Sequence, residues 1–141
     1  MFTEMGPWRP TEGKKLDRNP FTWTTSSSMV FLEQPAGVGF SYMIGDQQTF
    51  NDLRASQDNV EIIKAFFRKF PEKKNLGFHI AAESYGGHYI PQWALQIIND
   101  NELNAHFKGL LVGNPFTSFA SGSIATINVM WGLQIIPWSA W

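Results

Sequence analysis

Ser84 lies in the run Ala82-Glu83-Ser84-Tyr85-Gly86-Gly87-His88-Tyr89-Ile90-Pro91, the stretch of this sequence whose residue types and spacing are best suited to chemistry. An apolar, strand-like segment, Phe78-His79-Ile80-Ala81, leads into it, and a helix-compatible stretch from Tyr89 to Ile98 leads away. Strand, tight turn and helix in that order make a nucleophile elbow, a strained turn that lifts one hydroxyl clear of its neighbours. Small residues are needed two before and two after the serine, because the turn leaves no room for side chains there. Gly86 meets the second demand, and Ala82 stands where glycine is usual. A serine in such a turn can also be a simple helix cap, and the tripeptide around Ser84 does not separate the two roles.

A serine hydroxyl is a weak nucleophile. It needs a base within hydrogen-bond reach and a third group that orients the base. The N–H of Tyr85, one residue on, is the natural donor to the charge that develops on the attacked oxygen, and so half of an oxyanion hole. His88 lies four residues after Ser84, where it would share a helical face; a histidine packed behind the turn is the expectation there. His79 falls in mid-strand and His106 in a connection, neither in a catalytic setting. Asn114 is a candidate to hydrogen-bond near the turn. There is no zinc-type ligand spacing and no phosphate loop, and Gly37-Val38-Gly39 is too short for a dinucleotide fingerprint.

The elements that must hold this turn can be read from hydrophobic period. Residues 1–25, rich in Pro, Gly, Trp and charge, read as irregular. Ser27 to Glu33 is a short apolar run bounded by turn formers and predicts a buried parallel strand. Gln34 to Gly39 predicts a loop that brings backbone close to another group. From Asn51 to Phe70, Leu53, Val60, Ile63, Phe67 and Phe70 recur at helical intervals among charged residues, predicting an amphipathic helix stopped by Pro71. Gly77 to Ala82 is then a strand, Tyr89 to Asn99 a helix with Trp93, Ile97 and Ile98 on one side, and Phe107 to Val112 a further strand. Pro91 suits that helix only within its first turns. A serine-rich loop, Ser118 to Ser123, precedes a helix from Ile124 to Leu133. Strand, helix, strand, helix, strand is a βαβαβ block, hence an α/β fold with a mostly parallel sheet.

The wider string Glu83 to Pro91 resembles the active-site serine signature of the serine carboxypeptidases. Glu4-Met5-Gly6-Pro7, Asn19-Pro20-Phe21-Thr22-Trp23, Phe31 to Tyr42, Phe70-Pro71-Glu72 and Lys108 to Pro115 resemble the same family, in its order. The resemblance covers nearly all of this chain but a minority of that family's catalytic domain. It implies a partial α/β-hydrolase fold, with residues 1–141 as a single central segment and Ser84 as the nucleophile. In that fold a further strand lies between the first two strands seen here, so a gap or an improvised pairing is expected in the sheet. The resemblance also implies that Glu4 and Glu83 recognise the C-terminal carboxylate of a peptide substrate. Two acids held close share a proton, and the protonated one donates a hydrogen bond to an anion. Such pairing fails as both acids ionise, which favours acid conditions. The family's catalytic histidine comes from far downstream, so His88 is not expected to be the base, and the second oxyanion donor comes from a glycine-rich loop upstream of Glu4.

The implied reaction is removal of single residues from peptide or protein C-termini through an acyl-enzyme on serine, with no metal and no organic cofactor. The triad's aspartate and histidine have no candidates here, so these 141 residues by themselves are expected to have negligible peptidase activity; as part of a larger sheet they are expected to expose apolar patches and bare strand edges, and so to aggregate or pack loosely. Three other readings share the elbow. One is a carboxypeptidase-like acyltransferase, another a lipase or esterase, and the third a catalytically dead remnant or interaction module.

Composition supports a globular chain, with 43% hydrophobic residues, 6 Trp and 12 Phe. A net charge of -1 without a basic run argues against nucleic acid or an anionic membrane as partner, and no apolar stretch has the length of a membrane span. The family resemblance implies a vacuolar, lysosomal or secreted location. The sequence itself has no cysteine, no Asn-x-Ser/Thr acceptor and no recognisable signal peptide at Met1-Phe2-Thr3-Glu4.

Overall fold

The helix expected after the strand that leads to Ser84 forms in the computed structural model as α2 (Gly86–Ile98). The structure describes residues 2, 4–45, 49 and 51–140. They fall into two compact units, Met1–Ile44 and Gly45–Trp141.

The first unit holds an antiparallel hairpin, β1 (Trp8–Thr11) with β2 (Lys15–Arg18), in the register Trp8↔Arg18 to Thr11↔Lys15. The hairpin corrects the expectation that residues 1–25 are irregular. Both strands are exposed along their length, so no buried face imposes the alternation by which a strand is recognised. The turn is instead marked by Gly13 and Lys14, both at positive φ.

The strand expected over Ser27–Glu33 does not form. Residues 28–34 take neither helix nor strand, and among the described residues no ladder includes them. An apolar run becomes a strand only where a neighbour accepts and donates its backbone hydrogen bonds, and none of the described strands does so. From Glu33 to Ser41 the chain closes on itself as a loop. The Phe40 N–H donates to Glu33 Oε2 (2.7 Å) and the Ser41 hydroxyl to Glu33 O (2.6 Å). Gly39, at φ +59, lies so close to the Glu33 carboxylate that a Cβ there would overlap it, which is the close backbone approach expected of this loop.

The second unit is built on α1 (Asp52–Lys69), β3 (Phe78–Glu83), α2, β4 (Phe107–Gly113) and α3 (Phe119–Gly132). β3 and β4 pair in parallel from Phe78↔Phe107 to Glu83↔Gly113. The α/β class with a parallel sheet thus stands, with two parallel strands where the βαβαβ pattern predicts three. α1 starts where Asn51 Oδ1 accepts from the Arg54 N–H (2.8 Å) and ends before Pro71. Its buried face is Ala55, Ser56, Asn59, Val60, Ile63 and Phe67, so Leu53, expected in the stripe, is exposed.

α2 packs on α1 and on both strands, burying Ile90, Trp93, Ala94 and Ile97, while Ile98 is exposed. Each fully buried isoleucine there contributes about 2 kcal/mol. A row of rings, Phe67 to Phe78 (5.4 Å) and Phe78 to Phe107 (5.5 Å), continues that core from α1 across the sheet. Lys64 on α1 pairs with Asp100 just beyond α2 (2.7 Å) and with Glu61 (2.9 Å).

Two helix starts differ from expectation. α2 begins at Gly86, three residues early, because the turn after Ser84 is already helical; Pro91 therefore falls in its second turn. α3 begins at Phe119, because Ser118 caps it by accepting from the Ser121 N–H (3.3 Å), so most of the serine-rich segment is helix.

Candidate active site

β3 delivers the chain to Ser84, which adopts φ +57, a left-handed conformation that costs an L-residue about 1 kcal/mol. Tyr85 follows at φ -62 and ψ -13 as the N-cap of α2. The strain is held by three backbone hydrogen bonds. The Ser84 N–H donates to Gly113 O (3.1 Å), while Ser84 O accepts from Gly87 (3.0 Å) and Phe116 (2.8 Å). The turn is thereby stitched to the end of β4 as well as to its own helix.

The glycines have particular neighbours. A methyl group on Gly86 would overlap the Ala82 methyl, so the residues two before and two after Ser84 face each other across the turn. One alanine is tolerated there because its counterpart has no Cβ. A methyl on Gly87 would meet Phe116 O at 2.7 Å and Pro115 Cβ at 2.8 Å, which lets the strand end and the helix start lie against one another. Ser84 and Glu83 are exposed. Asn114 makes no hydrogen bond to the turn among the described residues. It adopts φ +39, a region asparagine tolerates better than most residues, in the bend that precedes the Phe116 N–H contact with Ser84 O.

Beside the serine, Tyr85 belongs to an aromatic cluster. Its ring lies 4.9 Å from His88 and from Tyr89 and 6.4 Å from Phe116 and Phe119; His88 in turn meets Phe119 at 5.1 Å. His88 is thus packed among rings, and its Nε2 is buried without a hydrogen-bond partner. The Tyr85 hydroxyl reaches Asp52 Oδ2 at the start of α1 (3.5 Å). Desolvation first, then the Asp52 charge, hold the Tyr85 phenol above its ordinary value. Asp52, Phe116 and Phe119 were not anticipated as neighbours of the turn, because nothing in linear spacing brings positions 52, 85 and 119 together.

Among the described residues none hydrogen-bonds the Ser84 hydroxyl, and no group of three or more His, Cys, Asp or Glu is placed to hold a metal ion. Ser84, Tyr85 and Glu83 are brought together in the second unit. Glu4 lies in the first, exposed and at φ +51.

The family described as serine carboxypeptidase matches residues 1–141. The chain is 42% identical over 117 residues to carboxypeptidase Y homolog A of Ajellomyces dermatitidis and 41% identical to carboxypeptidase Y of Candida albicans. Each match takes in 83% of this chain and 21% of the relative. The chain thus spans about a fifth of the length of the curated relatives it matches. A solved structure, a prohormone-processing carboxypeptidase of Saccharomyces cerevisiae, matches with a TM-score of 0.85 over 98% of this chain and 32% of its own, at 24% identity, a likeness of fold.

Proposed function

We propose, because this chain belongs to the serine carboxypeptidase family, that residues 1–141 are one segment of a single catalytic domain that cleaves the last peptide bond of peptide and protein C-termini. The observation that carries the reading is the exposed Ser84 at φ +57, pinned between β3 and α2 with Gly86 against Ala82. A serine serving only as a cap has no need of that strain or of that pair of small residues.

In this reading Ser84 Oγ attacks the carbonyl carbon while a histidine base, held by an orienting acid, takes its proton. Both groups must come from parts of the fold outside these residues. The carbonyl oxygen becomes an oxyanion that accepts from the Tyr85 N–H, and the start of α2 adds the positive end of a helix dipole. The C–N bond then breaks, the amine leaves with the proton from the base, and water hydrolyses the acyl-serine. Glu83 and Glu4 are the residues assigned to the substrate's terminal carboxylate. A vacuolar, lysosomal or secreted location goes with this reading. Among the described residues no helix is long and apolar enough to cross a membrane.

The test uses the longest naturally expressed form of the protein with an N-blocked dipeptide at mildly acidic pH. Release of the C-terminal amino acid, abolished by Ser84→Ala, is the expected result. Transfer of the acyl group to an added alcohol in place of water would instead make it an acyltransferase. No turnover and no labelling of Ser84 by a fluorophosphonate would leave the turn a relic.

A further inference from the structure

The first unit has almost no interior. Of its described residues only Gly6 and Asn19 are buried, and Asn19 is 2% exposed. The side chain at its centre is therefore an amide, where an apolar residue would be usual. Every polar group of that amide has a partner. Nδ2 donates to Glu4 O and to Gly6 O (2.8 Å), and Oδ1 accepts from the Phe21 N–H (3.0 Å). The Asn19 backbone N–H donates to Pro7 O (2.9 Å). The Met5 carbonyl between them accepts from the Thr22 hydroxyl (3.0 Å) and the Trp23 N–H (3.1 Å). Four successive carbonyls, from Glu4 to Pro7, are thus all held by residues 19–23.

The segment held in this cradle is strained. Glu4 sits at φ +51, a region unfavourable for a side chain of its kind. Released, the residue would relax to negative φ and swing its carboxyl to a new direction. A strained residue held by a fully satisfied buried polar group points to a demand on direction beyond mere folding. We propose that Asn19, with Thr22 beside it, is the positioning residue that aims the Glu4 carboxyl at the substrate's terminal carboxylate. This inference rests on the reading of Glu4 as a recogniser of that carboxylate.

The experiment compares an N-blocked dipeptide with its C-terminal amide as substrates for the longest expressed form of the protein, in Asn19→Ala, Glu4→Gln and the double variant. Expected for Asn19→Ala is a rise in KM of about tenfold for the free acid, with kcat and the amide substrate little changed, because only binding of the carboxylate is lost. The double variant should be no worse than Glu4→Gln, since both act through one carboxyl. An unchanged preference for the free acid in Asn19→Ala, where Glu4→Gln abolishes it, overturns the positioning role and leaves the carboxylate reading standing. An equal loss of kcat on both substrates overturns it too, as the mark of a general folding defect. If Glu4→Gln itself leaves the preference intact, the carboxylate reading fails and the inference falls with it. Should Asn19→Ala not fold, Thr22→Val, which removes the hydroxyl donor to Met5 together with that hydroxyl's bonds to the Thr24 N–H and hydroxyl, must show the same KM effect at smaller size; no effect overturns the proposal.

Discussion

The turn at Ser84 and the helix α3 are both rich in small and apolar residues, and the protein treats them in opposite ways. Around the turn, Gly86, Gly87 and Ile90 are buried and nearly every backbone group is committed to β4 or α2. In α3 no residue is buried. Phe119, Ile124, Ile127, Val129, Met130 and Trp131 are all exposed on a helix that is apolar on most sides. Its described attachment to the rest of the unit is at its first turns, where Phe119 packs on Phe116 and Gly122 leaves no room for a methyl beside the Phe116 ring. The turn is a local device, completed by residues within about thirty positions of one another. A helix apolar all round is suited to burial on several sides, and those sides are not furnished by the described residues. Local geometry can therefore be complete in a region whose neighbour still presents a large apolar surface of the kind that associates.

The sharpest break of this comparison is at Ser84 itself. In the longest expressed form, Ser84→Ala should lower kcat/KM on a blocked dipeptide by about 10^4-fold or more while leaving the melting temperature close to that of the parent. Core truncation comes next. Ile97→Ala, on the buried face of α2, should cost about 3 kcal/mol in denaturant unfolding. Val129→Ala on exposed α3 should stay within about 0.5 kcal/mol; equal losses would show that α3 is as well packed as α2. Gly86→Ala should cost about 2 kcal/mol from the overlap with Ala82, and adding Ala82→Gly should recover part of that loss, a coupling that equilibrium unfolding of the double variant reads directly. Ser84→Gly should raise stability by about 1 kcal/mol, because glycine adopts φ +57 without strain.

The smallest effect is expected at the ion pair that ties α1 to the chain just beyond α2. Asp100 is held below its ordinary value, chiefly by the hydrogen bond from Lys64, and Lys64 is raised, chiefly by the same bond. The lowered carboxyl stabilises the fold above the ordinary carboxylate range and loses that effect as pH falls through its folded value. The raised ammonium stabilises below the ordinary lysine range and loses its effect only at higher pH. Lys64→Met should therefore lower the melting temperature modestly near neutral pH. That difference should shrink as pH falls through the lowered folded value of Asp100 and its carboxyl takes up a proton.

Much of the elbow was legible from residue types alone. Ser84 between small residues, the apolar run before it and the helix after it are short-range patterns, although two of the backbone hydrogen bonds that hold the turn come from Gly113 and Phe116. The helical period of α1 was equally readable, since a repeat of three and four residues is a property of the chain itself, although Leu53 shows that membership of a stripe does not guarantee burial. The hairpin β1–β2 and the start of α3 escaped because exposed strands carry no alternation, and because serines serve loops and caps alike.

The sequence by itself determined where the chain must turn at Ser84, why Gly86 must lack a side chain, and that helices run through residues 52–69 and 89–98. Each depends on neighbours a few residues apart. Only the tertiary structure decided that residues 28–34 form no strand, that His88 is packed among aromatic rings, and that Asn19 is the amide on which the Glu4 segment hangs. These depend on hydrogen-bond partners and ring contacts supplied by distant parts of the chain. A residue's type states what it can bond; its place in the fold decides what it does bond.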